Sequence, residues 1–279
     1  MIVAEAGINH NGDLAVAMSM IRVAKAAGCD AIKFQTYFAE SLCEPAIPFT
    51  YKSRCREVTE DMQEMFKRNE FSVAQWNELK AECDGVGIEF MSTPMCKRSL
   101  DLVVELGVKR IKVASSDLTN IPLLEEMEKT LLPVILSLGM ADGEDSNKAL
   151  ELFGLQRTTF AACTSEYPTP PEHVNISRIK GSPLCKVGLS DHTIGNTAAI
   201  MAVAYGATYF EKHFTLDNSM EGPDHWFSAN PAQLMQWVNA IKKAQLMVGS
   251  GRIEPTEQEK VNRKVWRKTE ENGYIRRNV

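Results

Sequence analysis

Short apolar runs of strand length, each followed by an amphipathic stretch, recur along the chain from its first residues. Residues 2–6 read as a strand and residues 14–27 carry apolar positions at helical spacing. Residues 31–34, 89–91, 110–113, 134–136, 159–162, 186–189 and 208–211 predict strands two to eight. Helical patterns cover 100–106, 122–129, 198–205 and 232–248, and residues 38–70 are the one long interruption. A weak repeat reinforces the order: Gly28, Gly107, Gly154 and Gly206 each close a helical stretch just before a strand, as a left-handed helix cap does. Alternating strand and helix implies a parallel sheet, and eight units in this length favour a closed (β/α)8 TIM barrel over an open sheet. No G-x-G-x-x-G follows the first strand, so a dinucleotide-binding fold gains no support.

Composition narrows the partners. A 44% hydrophobic share with 24% charged residues describes a globule able to bury a large core. The net charge of -5, with no Lys/Arg stripe interleaved with aromatics, lacks the electrostatic footprint of a nucleic-acid binder. The seven cysteines, at 29, 43, 55, 83, 96, 163 and 185, include no C-x-x-C pair and no zinc-like spacing, so reduced thiols are expected. Met1-Ile2-Val3-Ala4-Glu5 has no basic n-region, and no run approaches the roughly 18 apolar residues of a membrane span, so a cytoplasmic protein without a membrane partner is expected.

In a barrel enzyme the site is built from the C-terminal ends of the strands. This chain has polar residues at nearly every one: Glu5 and Asn9-His10-Asn11, Lys33 and Gln35, Ser92-Thr93, Lys112 and Ser115, Ser137, Ser165 and Tyr167, Ser190-Asp191-His192, then Lys212 and His213, with Asp224 shortly beyond. Converging on one mouth, they would suit an anionic substrate and a metal. His192 and His213 end adjacent strands and can share a metal's coordination sphere, although a lone histidine is more often a hydrogen-bonded core residue. His10 fits a backbone-capping role as well as a substrate contact, and His173, beside Pro170-Pro171, reads as a surface residue. Lys33 and Lys112 point into or above the barrel, where an unpaired ammonium is costly. A bound phosphate or carboxylate would relieve that cost; the alternative is an internal salt bridge to Glu5 or Glu211. The serines are weak signals taken singly.

Seven motifs in order resemble the N-acetylneuraminate (sialic acid) synthase family: Glu5-Ala6-Gly7-Ile8-Asn9-His10-Asn11-Gly12-Asp13, Lys33-Phe34-Gln35-Thr36, Ser92-Thr93-Pro94, Ser165-Glu166-Tyr167-Pro168, Ser190-Asp191-His192-Thr193, Glu211-Lys212-His213-Phe214-Thr215 and Gly222-Pro223-Asp224-His225. The resemblance runs from residue 2 to about 250. That family includes legionaminic and pseudaminic acid synthases and spore-coat polysaccharide proteins, which join phosphoenolpyruvate to an amino sugar. The resemblance implies a metal-dependent transferase forming a nonulosonic acid, with His192 and His213 holding a divalent ion, manganese or else magnesium or cobalt. Lys33, Thr93, Lys112, Ser115, Ser137 and Ser190 would contact phosphoenolpyruvate. Gln35, Tyr167 and Asp224 would face the sugar and the reacting carbons, with Ser165 beside them, and Asp224 would handle a proton. It implies a homodimer as well.

The chain departs from the family pattern at Ser116, where a glycine is usual, and at Leu138, where a threonine is usual. Relatives continue into a small antifreeze-like domain that lends an arginine to the partner's site. Here a barrel over 1–250 followed by a 251–279 linker remnant, with that domain absent, is expected. Two other readings stand beside the synthase: a class I aldolase using Lys33 or Lys112 as a Schiff-base amine, and a degenerate barrel that only binds an anionic sugar.

Overall fold

A computed structural model describes residues 1–54, 56–180 and 186–268. Cys55, Cys185 and the last part of the expected 251–279 tail lie outside the described residues. The chain divides into two compact units, Met1–Gln245 and Leu246–Val279.

The first unit follows the predicted alternation. β1 (Ile2–Gly7), α1 (Leu14–Ala26) and β2 (Ala31–Thr36) come first. The interruption is ordered: β3 (Pro48–Ser53) and β4 (Arg56–Asp61) form an antiparallel hairpin, followed by α2 (Met62–Arg68). Then come α3 (Val73–Val86), β5 (Glu89–Pro94), α4 (Lys97–Glu105), β6 (Ile111–Val113), α5 (Ile121–Lys129), β7 (Val134–Ser137), α6 (Gly143–Phe153) and β8 (Thr158–Cys163). β9 (Lys186–Asp191), α7 (Thr197–Ala204), β10 (Tyr209–His213) and α8 (Pro231–Val248) complete the series. Between β8 and β9 the described residues hold two 3-10 turns, Pro171–His173 and Ile176–Lys180, in place of a helix. In the second unit α9 (Glu257–Trp266) opens on a capping box of Thr256 and Glu259.

The eight long-range strands pair in parallel in the order β5-β2-β1-β10-β9-β8-β7-β6. β5 and β6 stand side by side at the seam, so the sheet is a nearly closed (β/α)8 barrel. Across the foot of that seam Arg110 grips Glu89 with two nitrogens, Nε to Oε1 at 2.7 Å and the second at 3.3 Å. All four glycines read as helix caps have positive φ: Gly28 at 85°, Gly107 at 76°, Gly154 at 71° and Gly206 at 89°. Only glycine enters that region at little cost.

Period two sorts each strand's residues into two sets. Outward residues such as Ile32, Phe34, Leu136 and Phe210 pack under the helices against Met20, Leu79, Leu124 and Trp237. Inward residues Val3, Ala31, Met91, Ile135, Ala161 and Tyr209 form a separate apolar plug at the barrel's floor. Tyr209 fits because its neighbour is Gly188, where a Cβ would lie 2.7 Å from the tyrosine's own Cβ. Two residues further along each strand the inward positions turn polar, and there the site begins.

Candidate active site

Above the floor lies a layer of buried charge. Register pairs Glu5 of β1 with Lys33 of β2, and Lys33 Nζ meets Glu5 Oε2 at 2.7 Å and Thr93 Oγ1 at 3.0 Å. Lys112 Nζ meets Ser137 Oγ at 2.6 Å. Glu211 stands between the lysines, with Oε1 at 3.4 Å from Lys112 and 3.8 Å from Lys33. The Glu211 carboxylate also accepts from Ser190 Oγ at 2.9 Å and from the Tyr209 hydroxyl. Two ammoniums and two carboxylates make the layer formally neutral. Burial alone would push Glu211 up, but Lys112, Lys33 and its two hydroxyl donors hold it well below the usual carboxylate range. Burial pushes Glu5 up, against the pull of Lys33 and with the charge of Glu211. Burial lowers Lys112 despite Glu211, whereas Lys33, touching both carboxylates, stays above its ordinary value.

This layer floors a cavity of about 370 Å3. Of the twelve residues predicted for the site, eleven line it: Lys33, Gln35, Thr93, Lys112, Ser115 and Ser137 on one side, with Ser165, Tyr167, Ser190, His192 and His213 on the other. Ser115 and Ser165 crowd the backbone at Gly139, where a Cβ would meet Ser165 Oγ at 2.3 Å and Ser115 Oγ at 2.6 Å. Ser115 Oγ accepts from the Gly139 N–H at 3.1 Å, while Ser165 Oγ is buried without a hydrogen-bond partner among the described residues.

The twelfth, Asp224, stands beside the mouth, its Oδ2 3.7 Å from His213 Nδ1. The His192 and His213 rings are 5.4 Å apart, and Tyr167 stands 4.2 Å from the first and 5.7 Å from the second. His192 Nδ1 lies 2.7 Å from the Thr164 carbonyl, which fixes that nitrogen as a donor. Against its burial, Cys163 and that carbonyl raise the imidazole's pKa, so a metal at Nε2 would have to displace the ring's second proton. His213 Nδ1 is buried with no hydrogen-bond partner among the described residues. Burial, then His192 and Lys33, hold His213 well below its ordinary pKa, so it is neutral at pH 7 and able to donate a lone pair. Burial and then Glu5 push Asp224 up to about 7, which leaves it free to give or take a proton near neutrality. An orphaned imidazole nitrogen, a second imidazole oriented through its Nδ1 and a nearby carboxyl are a donor set that fits a divalent ion. Among the described residues no three His, Cys, Asp or Glu side chains converge as a complete metal cluster, so water or substrate oxygens would have to fill the remaining positions.

Several expectations need correction. Lys33 and Lys112 are not unpaired: the alternative reading, a salt bridge to Glu5 or Glu211, is what the barrel contains. Lys212 does not join the mouth, because Glu211 and His213 take the inward positions of β10; it points outward to Asp191 Oδ2 at 3.0 Å, an oxygen that also accepts from Trp237 Nε1. Ser92 likewise turns away, bonding Thr36 at 2.6 Å. His10 caps the backbone, accepting from Gly12 N–H at 3.1 Å while stacked on Phe71. His173, read as a surface residue, is indeed exposed, 2.8 Å from Glu166. Cavity-lining residues that the strand-end reading passed over are Met95, Ala114, Ser116, Met140 and Cys163. Cys163 was within reach of a period-two count, two residues beyond inward Ala161.

A family model described as the NeuB family matches residues 20–253. The chain belongs to the NeuB family. An N,N'-diacetyllegionaminic acid synthase from Legionella pneumophila is 36% identical over 269 residues, covering 92% of this chain and 76% of that protein. An uncharacterized protein from Methanocaldococcus jannaschii is 42% identical over 265 residues, covering 93% and 75%. Among solved structures, the N-acetylneuraminic acid (sialic acid) synthetase from Leptospira borgpetersenii, crystallised with citrate, superposes with a TM-score of 0.83 at 33% identity, covering 96% of this chain and 92% of that one. Membership in this family makes the chain a biosynthetic enzyme of the sialic acid type. No helix among the described residues is long and apolar enough to cross a membrane.

Proposed function

We propose that this chain joins phosphoenolpyruvate to an N-acylated hexosamine of the N-acetylmannosamine kind, giving a nonulosonic acid and inorganic phosphate, with a divalent metal held by His192 and His213. The observation that carries the reading is the cavity itself: two ammoniums, a set of hydroxyls and two imidazoles face one space at the C-terminal end of the barrel. Lys33 and Lys112 supply charge for the phosphate and carboxylate, and Ser115, Ser137, Ser165, Ser190 and Thr93 supply hydroxyl donors. The orphaned Ser165 Oγ gains its missing partner from such an oxyanion. Bound at the two imidazoles, a metal ion would supply Lewis-acid polarisation of the sugar's aldehyde oxygen.

In the reaction a bond forms between the enol methylene carbon and the aldehyde carbon, and water adds to the adjacent carbon of the former enol. The carbon–oxygen bond to phosphate then breaks, and phosphate departs with the bond's electron pair. One proton from water ends on the new hydroxyl of the sugar, and the other leaves the added hydroxyl for the departing phosphate as that oxygen becomes the keto group. Asp224, poised near pH 7, is the group beside the mouth that carries that proton. Tyr167 lies against both imidazoles, tilted on His192 and edge-to-face with His213, at the side of the cavity where the sugar would enter. The test is phosphate release from phosphoenolpyruvate with manganese and a panel of N-acyl hexosamines; folded, metal-loaded protein silent across the panel would overturn the reading.

One observation favours the aldolase as a second reading: burial lowers the Lys112 ammonium toward the free amine that Schiff-base chemistry needs. Borohydride trapping with a keto acid decides between them, since an adduct on Lys112 belongs to the aldolase alone.

A further inference from the structure

Asp224 lies on the long irregular connection between β10 and α8, yet its backbone is tied from several sides. Its carbonyl accepts from Ser228 Oγ at 2.6 Å, and Ser228 Oγ accepts from Asn9 Nδ2 at 3.0 Å. Asn11, in the turn after β1, donates Nδ2 to the Glu221 carbonyl at 2.9 Å and presents Oδ1 to His225 Nε2 at 3.2 Å. Because Oδ1 only accepts, His225 carries its proton on Nε2, and its Nδ1 faces Thr215 Oγ1 at 2.7 Å. Between those two anchor points Gly222, at φ 145°, donates its N–H to Ser53 Oγ of the hairpin at 3.1 Å. A Cβ on Gly222 would sit 2.8 Å from the His225 ring, so the turn closes only with glycine there.

We propose that Asn11 and His225 are positioning residues for Asp224, which together with Ser53 and the Asn9–Ser228 relay preset its carboxyl beside the sugar end of the cavity before any ligand arrives. This rests on the reading of Asp224 as the group that serves the acceptor sugar. The Asn9-His10-Asn11 turn, counted among the mouth residues from its sequence, thus acts at one remove. A floating connection would have to be ordered at each turnover, and a misplacement of about 1 Å costs on the order of 100-fold in rate.

Asn11→Gly is the informative variant, because Asn11 has φ 52° and glycine keeps that conformation while removing both hydrogen bonds. Amide exchange across 219–226 is read first, since it needs no turnover. Loss of two hydrogen bonds should speed it about 10-fold or more. In kinetics, kcat/KM for the sugar should fall about 10- to 100-fold, with the phosphoenolpyruvate KM within about two-fold. Asn11→Asp, which keeps the acceptor toward His225, should recover part of both effects. Unchanged exchange, or equal damage to both substrates, overturns the proposal. Asp224→Asn separates the two readings: if it turns over normally, the assigned role of Asp224 fails. If it is crippled while Asn11→Gly leaves exchange and sugar kinetics unchanged, the clamp alone fails.

Discussion

Replacing Glu211 by Gln removes one of two negative charges from a buried layer holding two positive ones, at nearly constant volume. The carboxylate lies 3.4 Å from Lys112 and 3.8 Å from Lys33 and accepts two hydroxyl bonds, so its loss takes away Lys112's ion pair and leaves Lys33 with Glu5 alone. Breaking a buried pair in this way costs about 3 to 5 kcal/mol. In a unit of this size, at roughly 2 to 4 °C per kcal/mol, the melting temperature should drop by about 6 to 20 °C in anion-free buffer. The drop should depend on pH. Lys112 is already held below its ordinary pKa, and without Glu211 it sheds its proton more readily, so the deficit shrinks as pH rises toward 9. Glu211 itself is depressed when folded, so its own contribution is present above pH 4.5 and fades as pH falls below it. Inorganic phosphate, entering a layer that is now net positive, should restore more stability to the variant than to the parent. Scanning calorimetry of both proteins with and without phosphate is the assay. A drop under about 2 °C, indifferent to pH and phosphate, would refute the electrostatic account of this layer.

His192→Ala should lose stoichiometric manganese while the barrel stays folded, because a site with two protein imidazoles cannot spare one; a full equivalent of metal in the purified variant would remove His192 from the ligand set. Gly139→Ala puts a methyl 2.3 Å from Ser165 Oγ and 2.6 Å from Ser115 Oγ, so phosphoenolpyruvate affinity measured by titration calorimetry should fall about 10- to 100-fold at a stability cost of about 1 to 3 kcal/mol. His10 is buried and held at about 3 against an ordinary 6.5, chiefly by desolvation. Its contribution is therefore complete above pH 6.5 and is lost as pH falls toward 3, with roughly 2 kcal/mol gone by pH 5. His10→Phe should flatten that acid limb at a cost of about 1 kcal/mol near pH 7.5, read from urea midpoints at several pH values.

The barrel was legible because short apolar runs of strand length alternate with helical stretches, four of which end on a glycine. The hairpin was not, since Lys52, Arg56 and Glu57 leave neither face apolar, and only Thr50, Tyr51, Val58 and Thr59 hint at strand. The helical pattern is missing between β8 and β9 because Pro168, Pro170 and Pro171 forbid it. Within the site, strand-end polarity alone gathered too many residues. Consecutive positions cannot all face the lumen, and the same period that marks Glu211 and His213 as inward sends Lys212 out; Met91 and Thr93 do the same to Ser92. Asp224 lies eleven residues past the end of β10, beyond any rule of period; the strand-end reading reached it only as a carboxylate shortly beyond His213, and the resemblance to the family gave it a role.

The floor and the charged layer depend on each other. Tyr209 belongs to the apolar plug by its ring and to the charged layer by its hydroxyl, which donates to Glu211. It can hold both positions only because Gly188 on the neighbouring strand leaves space for its ring. Glu211 in turn sets the charge felt by both lysines. A packing choice at the bottom of the barrel therefore reaches the ammoniums proposed to hold phosphate through one phenol and one carboxylate. The loop that carries Asp224 is held differently, its backbone hydrogen-bonded to a turn and to the hairpin. Damage to the floor should thus weaken phosphoenolpyruvate binding, whereas damage to the loop anchors should weaken the sugar step. That separation gives the two substrates distinct mutational signatures within a single cavity.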